Sequence, residues 1–300
     1  MKKRILMWGL AAVVLTGALA GCAAGEKNGA GAKEPSAAAD SAVKEPSERA
    51  ETSGGAGAQE PVELLVAAAA SLKNVFEEDL IPLYQSQNPD IVIRGAYDSS
   101  GKLQTQIEGG LEADLFVSAA KKQMDSLEDG GWLADGSRTD LLENKVVLIV
   151  PADSGADWDS FEDITQAEII ALGDPASVPA GQYAKEALTS LGIWEQIQDR
   201  VSLGTNVTEV LSQVAEAGAQ AGIVYATDAA GRADSVRVVA EAPEGSLSEK
   251  VVYPAAVLKS SEAQDAALSF LEFLRSDEAG ELFESRGFDA IGYEAGAGGN

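Results

Sequence analysis

The chain has 300 residues and a formal net charge of −26, which disfavours nucleic acid and anionic membrane surfaces as partners. It contains no histidine, and its single cysteine is Cys22. A Ser-His-Asp triad, a thiolate nucleophile beyond Cys22 and an ordinary zinc or copper site are therefore excluded; carboxylate sites for calcium or magnesium stay open, although neither an EF-hand spacing nor a GxxxxGK(S/T) loop occurs.

Lys2, Lys3 and Arg4 precede an apolar run, Ile5 to Leu19, that is too short and wrongly flanked for a stable membrane span. It ends in Leu19-Ala20-Gly21-Cys22. That ending resembles the lipobox of bacterial lipoproteins, in which the cysteine is acylated and becomes the mature N-terminus. Residues 1–21 are expected to be a lipoprotein signal peptide, with Cys22 the lipidation site. Residues 22–60 are mainly Ala, Gly, Ser, Glu, Lys and Pro. No core can form there to offset the ordering entropy, so a disordered tether is expected.

Regular structure is expected from about Val62. Val62–Ala67 reads as a strand, and Ser71 opens a helix carrying Leu72, Val75 and Phe76, which Pro82 ends or kinks. Ile91–Gly95 is the next strand. A helix from about Ser100 places Leu103 and Ile107 on one face. Leu115–Val117 follows as a buried strand, then a helix over 121–127 closed by Gly130-Gly131. Lys145–Val150 (KVVLIV) is apolar throughout, as a strand covered on both faces would be. Ile169–Leu172, Gly222–Tyr225, Val236–Ala240 and Val251–Leu258 are further strands. Helices are expected over 181–191, from about Val207, and over 262–274 and 277–285. This alternation predicts an α/β fold of mostly parallel sheets with helices on both faces.

Ligands in such folds bind beyond the carboxyl ends of strands, where loops feed helix N-termini. The loops in question are Ala69-Ala70-Ser71-Leu72, Asp98-Ser99-Ser100-Gly101, Pro179-Ala180-Gly181, Thr205-Asn206-Val207 and Val224-Tyr225-Ala226. They offer hydroxyls and backbone N–H groups, and neither histidine nor arginine. Neutral donors at helix starts suit a small, fully deprotonated oxyanion. Read singly, Ser71 and Ser100 are equally ordinary helix caps, Ala180 and Val207 backbone spacers, and Tyr225 a core tyrosine. Asp174 and Asp228, close to these loops, read as structural, since a carboxylate facing an anion would repel it.

AAAASLKNVFEE, DSSGKLQTQIEGGLEADLFVSA, GDPASVPAGQYAKEAL and GIVYATDA together resemble the periplasmic molybdate-binding proteins of ABC importers over about residues 62–288. The resemblance implies a type II periplasmic-binding-protein fold, two lobes joined by two crossing strands. It divides the chain into one lobe of residues 61–143 and 250–292 and a second of 144–249, with a disordered tail at 293–300. It implies molybdate, or tungstate, bound as an oxyanion by Ser71, Ser100, Ala180, Val207 and Tyr225, with no cofactor, no metal-cation ligand and no enzymatic activity. Its partners would be a permease and its ATPase, with the receptor a monomer held outside the cytoplasm by lipid at Cys22. Lys102 departs from the family pattern and stands either as an added charge at the pocket or as a solvent-facing side chain. A receptor for sulfate or another small oxyanion is the alternative; a serine hydrolase using Ser71 or Ser100 is weakened by the missing histidine.

Overall fold

The computed structural model describes residues 61–291. The signal segment, Cys22, the tether and the expected tail lie outside the described residues.

β1 (Val62–Ala69) runs into a 3-10 turn, Ala70–Leu72, and a single α-turn, α1 (Lys73–Val75). A π-helical stretch, Phe76–Leu80, then continues as α2 (Ile81–Gln87). Pro82 therefore does not end this helix. The Ile81 N–H donates to Phe76 O, five residues back, so the missing N–H of Pro82 falls where the ladder returns to its usual spacing. β2 (Ile91–Asp98), α3 (Ser100–Glu108), β3 (Leu115–Val117) and α4 (Lys121–Asp129) follow. β4 (Thr139–Asn144) and β5 (Val146–Pro151) are separated by one residue, Lys145. Next come β6 (Ile170–Gly173), α5 (Pro179–Ser190), the short α6 (Trp194–Ile197), β7 (Val201–Gly204), α7 (Val207–Ala215), β8 (Ala221–Tyr225), the short α8 (Ala226–Ala230) and β9 (Val236–Glu241). β10 (Val251–Val257), α9 (Gln264–Leu274), α10 (Asp277–Ser285) and β11 (Asp289–Ala290) complete the chain.

Two sheets result. One has the order β11-β4-β10-β3-β1-β2 and the other β7-β6-β8-β5-β9. Both are mixed, not mostly parallel. β1 pairs in parallel with β2 and β3, whereas β10 is antiparallel to β3 and β4. In the second sheet β6 is parallel to β7 and β8, and β5 is antiparallel to β8 and β9. The cause is the connection between sheets. The chain leaves the first sheet through β4–β5 and returns through β9–β10, so strands that cross over enter their new sheet against its parallel members.

Burial follows the apolar runs. Every residue of β8 and β10 is buried, and Val146 to Val150 are buried in β5. On the first sheet, Phe76 packs against Phe270 and Phe283 with ring centroids 6.3 Å away in each case, which ties the first helical segment to α9 and α10.

Register decides where the loops emerge. Ala69 pairs with Asp98, so β1 and β2 end at one level. Gly173 pairs with Gly204, so β6 and β7 do the same in the other sheet.

Candidate functional site

The strand ends deliver their loops to one small cavity of about 10 Å³ between the two sheets. From the first sheet come Ser71 in the turn after β1, Ser99 and Ser100 at the start of α3, and Ala119 after β3. From the second come Ala180 at the start of α5, Val207 at the start of α7 and Tyr225 at the end of β8. All five predicted site residues thus line one space. None of the lining residues is charged.

The hydroxyls are held by their surroundings. Ser100 is fully buried, and its Oγ accepts from the Ala119 N–H at 2.9 Å. Its own hydrogen remains available. Ser71 Oγ lies 3.0 Å from Tyr253 Oη. Tyr225 Oη reaches across to Ala119 O at 3.4 Å; burial pushes this phenol well above its ordinary pKa and keeps it protonated. Around them, the first-turn N–H groups of α3, α5 and α7 have no acceptor within their own helices. Three helix N-termini converging on one space give it a positive potential without a formal charge.

Ser99 went unnoticed as a site residue in the sequence. It is 3 % exposed, lines the cavity, and its Oγ is without a hydrogen-bond partner. Its signal was present in the paired serines of DSSG, but only one of the two was assigned to the site.

Lys102 is neither a cavity residue nor a free surface charge. Its Nζ pairs with Asp98 Oδ1 at 3.2 Å, and the same carboxylate oxygen accepts from Asn206 Nδ2 of the other sheet's loops at 3.4 Å. A closer link crosses nearby, where the Gly101 N–H donates to Ser177 O at 2.9 Å. Gly101 is required at this point, since a Cβ there would stand 2.4 Å from Ser177 O.

The two nearby aspartates hold backbone. Asp174 Oδ1 accepts from the Ala176 N–H at 2.9 Å in the loop leading to α5. Asp228 Oδ2 accepts from the Tyr225 N–H at 3.3 Å and caps α8. Burial nevertheless raises the Asp228 carboxyl to about 7, against the lowering effect of that hydrogen bond. Asp228 faces a second, wider cleft that also takes in Lys73, Arg232, Glu284 and Arg286. Among the described residues no cluster of three or more His, Cys, Asp or Glu is arranged to hold a metal ion.

Comparison with known proteins gives a consistent result. The family described as bacterial extracellular solute-binding protein matches residues 64–289. A Bacillus subtilis protein, provisionally named an ABC transporter substrate-binding lipoprotein, is 40% identical over 232 residues, covering 77% of this chain and 88% of its own. A molybdate-binding protein of Haemophilus influenzae is 38% identical, covering 75% and 89%. Among solved structures, the substrate-binding domain of a provisionally assigned molybdenum ABC transporter from Clostridium difficile superposes with a TM-score of 0.60 at 37% identity. It covers 77% of this chain and 99% of that one.

Proposed function

Because this chain belongs to the bacterial extracellular solute-binding protein family, we propose that it captures molybdate between its two lobes and delivers it to the permease of an ABC importer. One observation carries the choice of ligand. The cavity is lined by hydroxyls and helix-start backbone, with no charged side chain. Such a lining satisfies a dianion that brings only acceptors. It offers no carboxylate to a hydrogen phosphate, whose O–H is best met by a charged acceptor. In this reading Ser71, Ser100 and Tyr225 donate through hydroxyls, Ala180 and Val207 through backbone N–H groups, and Ser99 adds a further hydroxyl. Tungstate, of like charge and shape, uses the same donors. The receptor works as a monomer with the importer's permease and ATPase. Acylation at Cys22 holds it to the membrane, which fractionation of the full chain tests; the lipoprotein name of the Bacillus subtilis relative supports that part.

The test is a melting-temperature screen of the protein with oxyanions. A ligand that binds only the folded state stabilises it by mass action. Molybdate and tungstate are expected to raise the melting temperature, and sulfate at equal concentration to do much less, because a smaller tetrahedron leaves the donors stretched. A sulfate shift as large as the molybdate shift moves the assignment to the sulfate class.

The proposed donors do not titrate near neutral pH, but Asp228 does. Its charge is felt by both Tyr225 and Tyr253. As pH rises through about 7 the carboxylate forms, so molybdate affinity is expected to fall by about two- to fivefold between pH 6 and 8. The effect on stability follows from the same shift. The folded state holds a proton on Asp228 that the unfolded state has already lost, from about pH 4 up to about 7. Stability therefore declines across that window and levels off above it. Lys73, Arg232, Glu284 and Arg286 line the same cleft, Arg286 being already paired with Glu78 and Asp79. In Asp228→Asn both slopes should be absent; calorimetric titrations at three pH values that retain the slope would assign it elsewhere.

A further inference from the structure

We infer that Asn144 and Tyr253 form a one-way hydrogen-bond relay that fixes Ser71 as a donor toward the cavity. This rests on the molybdate reading of the site. Asn144 ends β4, beside the crossing into the second sheet, and Tyr253 lies in the middle of β10. Both are buried, in a part of the chain that the motifs around the ligand loops do not reach.

The direction of the relay follows from counting hydrogens. The Lys145 N–H donates to Asn144 Oδ1 at 2.8 Å, which settles which end of the amide carries oxygen. Asn144 Nδ2 is then the donor end. It reaches Thr227 Oγ1 at 2.9 Å and Tyr253 Oη at 3.2 Å. A phenol has one hydrogen. With an N–H already aimed at its oxygen, Tyr253 has two hydroxyls in reach of that hydrogen, Ser71 Oγ at 3.0 Å and Tyr225; the relay gives it to Ser71, since the Tyr225 hydroxyl is directed to Ala119 O. The phenol keeps this hydrogen, because burial raises it well above its ordinary pKa. Ser71 Oγ is thereby made an acceptor on the side facing Tyr253, and its own hydrogen is turned to the cavity it lines.

An unguided serine hydroxyl presents either a hydrogen or a lone pair, and a lone pair facing an oxyanion is repulsive. The relay removes that choice before the ligand arrives. The ring of Tyr253 has little freedom to break it, being packed edge-on to Tyr225 at 5.7 Å and to Phe288 at 5.6 Å between centroids. Tyr253 and Asn144 are positioning residues in this scheme, and they act only through Ser71.

That last condition makes the proposal testable by a double-mutant cycle of Tyr253→Phe and Ser71→Ala, read by calorimetry with molybdate and by the melting temperature without it. Tyr253→Phe is expected to weaken molybdate binding about tenfold. Ser71→Ala should weaken it at least as much. The double variant should bind no worse than Ser71→Ala alone, since the relay then has nothing to orient. A purely structural role for the phenol predicts instead that its loss adds in full on top of Ser71→Ala. That result, or wild-type affinity in Tyr253→Phe, overturns the relay. Wild-type affinity in Ser71→Ala, or no molybdate binding by the unmodified protein, overturns the underlying site reading instead. If Tyr253→Phe does not fold, Asn144→Leu takes its place in the cycle, with a smaller loss that must likewise vanish without Ser71.

Discussion

Gly101→Ala is expected to weaken molybdate binding by about ten- to a hundredfold while the unliganded protein melts no earlier than wild type. The added methyl would stand 2.4 Å from Ser177 O and 2.8 Å from Ser177 Cα. Both are backbone atoms, so no side-chain rotation relieves the clash. Either the loops of the two sheets move apart or α3 shifts, and overpacking of this kind costs about 1–3 kcal/mol. The hydrogen bond from Gly101 N–H to Ser177 O is lost with the separation. In the proposed trap the unliganded lobes stand apart, and none of this cost arises there. The change then replaces glycine by alanine in the first turn of α3, which favours the helix by less than the about 1 kcal/mol of a helix interior. Calorimetry and an unliganded melt separate the two effects. Unaltered affinity would mean that binding does not need the lobes this close.

Ser100→Ala and Tyr225→Phe should each reduce affinity about ten- to a hundredfold, because a hydrogen bond to a charged group contributes about 1.5–3 kcal/mol. Their effects on stability should differ. Ser100 Oγ also accepts from the Ala119 N–H. Its removal leaves a buried donor unpaired, which costs about 1–3 kcal/mol in the unliganded fold. Tyr225 Oη makes a long contact to Ala119 O at 3.4 Å and a hydrogen bond with the Tyr253 hydroxyl, neither of which leaves a backbone donor unpaired when lost, so Tyr225→Phe should melt closer to wild type than Ser100→Ala. If both variants bind normally, neither hydroxyl belongs to the site.

Much of the architecture could be read from local pattern, and the exceptions have physical causes. KVVLIV is legible as a strand because both faces of β5 are covered, so no polar residue interrupts it. β4 (TDLLEN) escapes notice because its two leucines are adjacent and its remaining residues are polar, neither alternating nor continuous. β7 is four residues long and leaves Leu203 half exposed at the edge of its sheet. Strand direction was misjudged because alternation of strand and helix says nothing about a chain that changes sheets. The loops that carry Ser71, Ser100, Ala180, Val207 and Tyr225 to one cavity were legible as strand-to-helix junctions, and the family resemblance picked these residues out of them. Tyr253 was not legible. It acts on a residue 182 positions earlier in the chain, and no local window contains both.

The uncharged lining of the cavity has a kinetic consequence. Arrival and escape are governed by different forces in this molecule. An incoming dianion meets a chain of net charge −26, whose field opposes the encounter over a Debye length of about 10 Å at 0.1 M salt. Once inside, it is retained by short hydrogen bonds to neutral groups, which dissolved ions scarcely reach. Salt therefore speeds loading and leaves the dwell time nearly alone, the reverse of a receptor that attracts its anion with lysine or arginine. Such a receptor loses grip in brine; this one gains access.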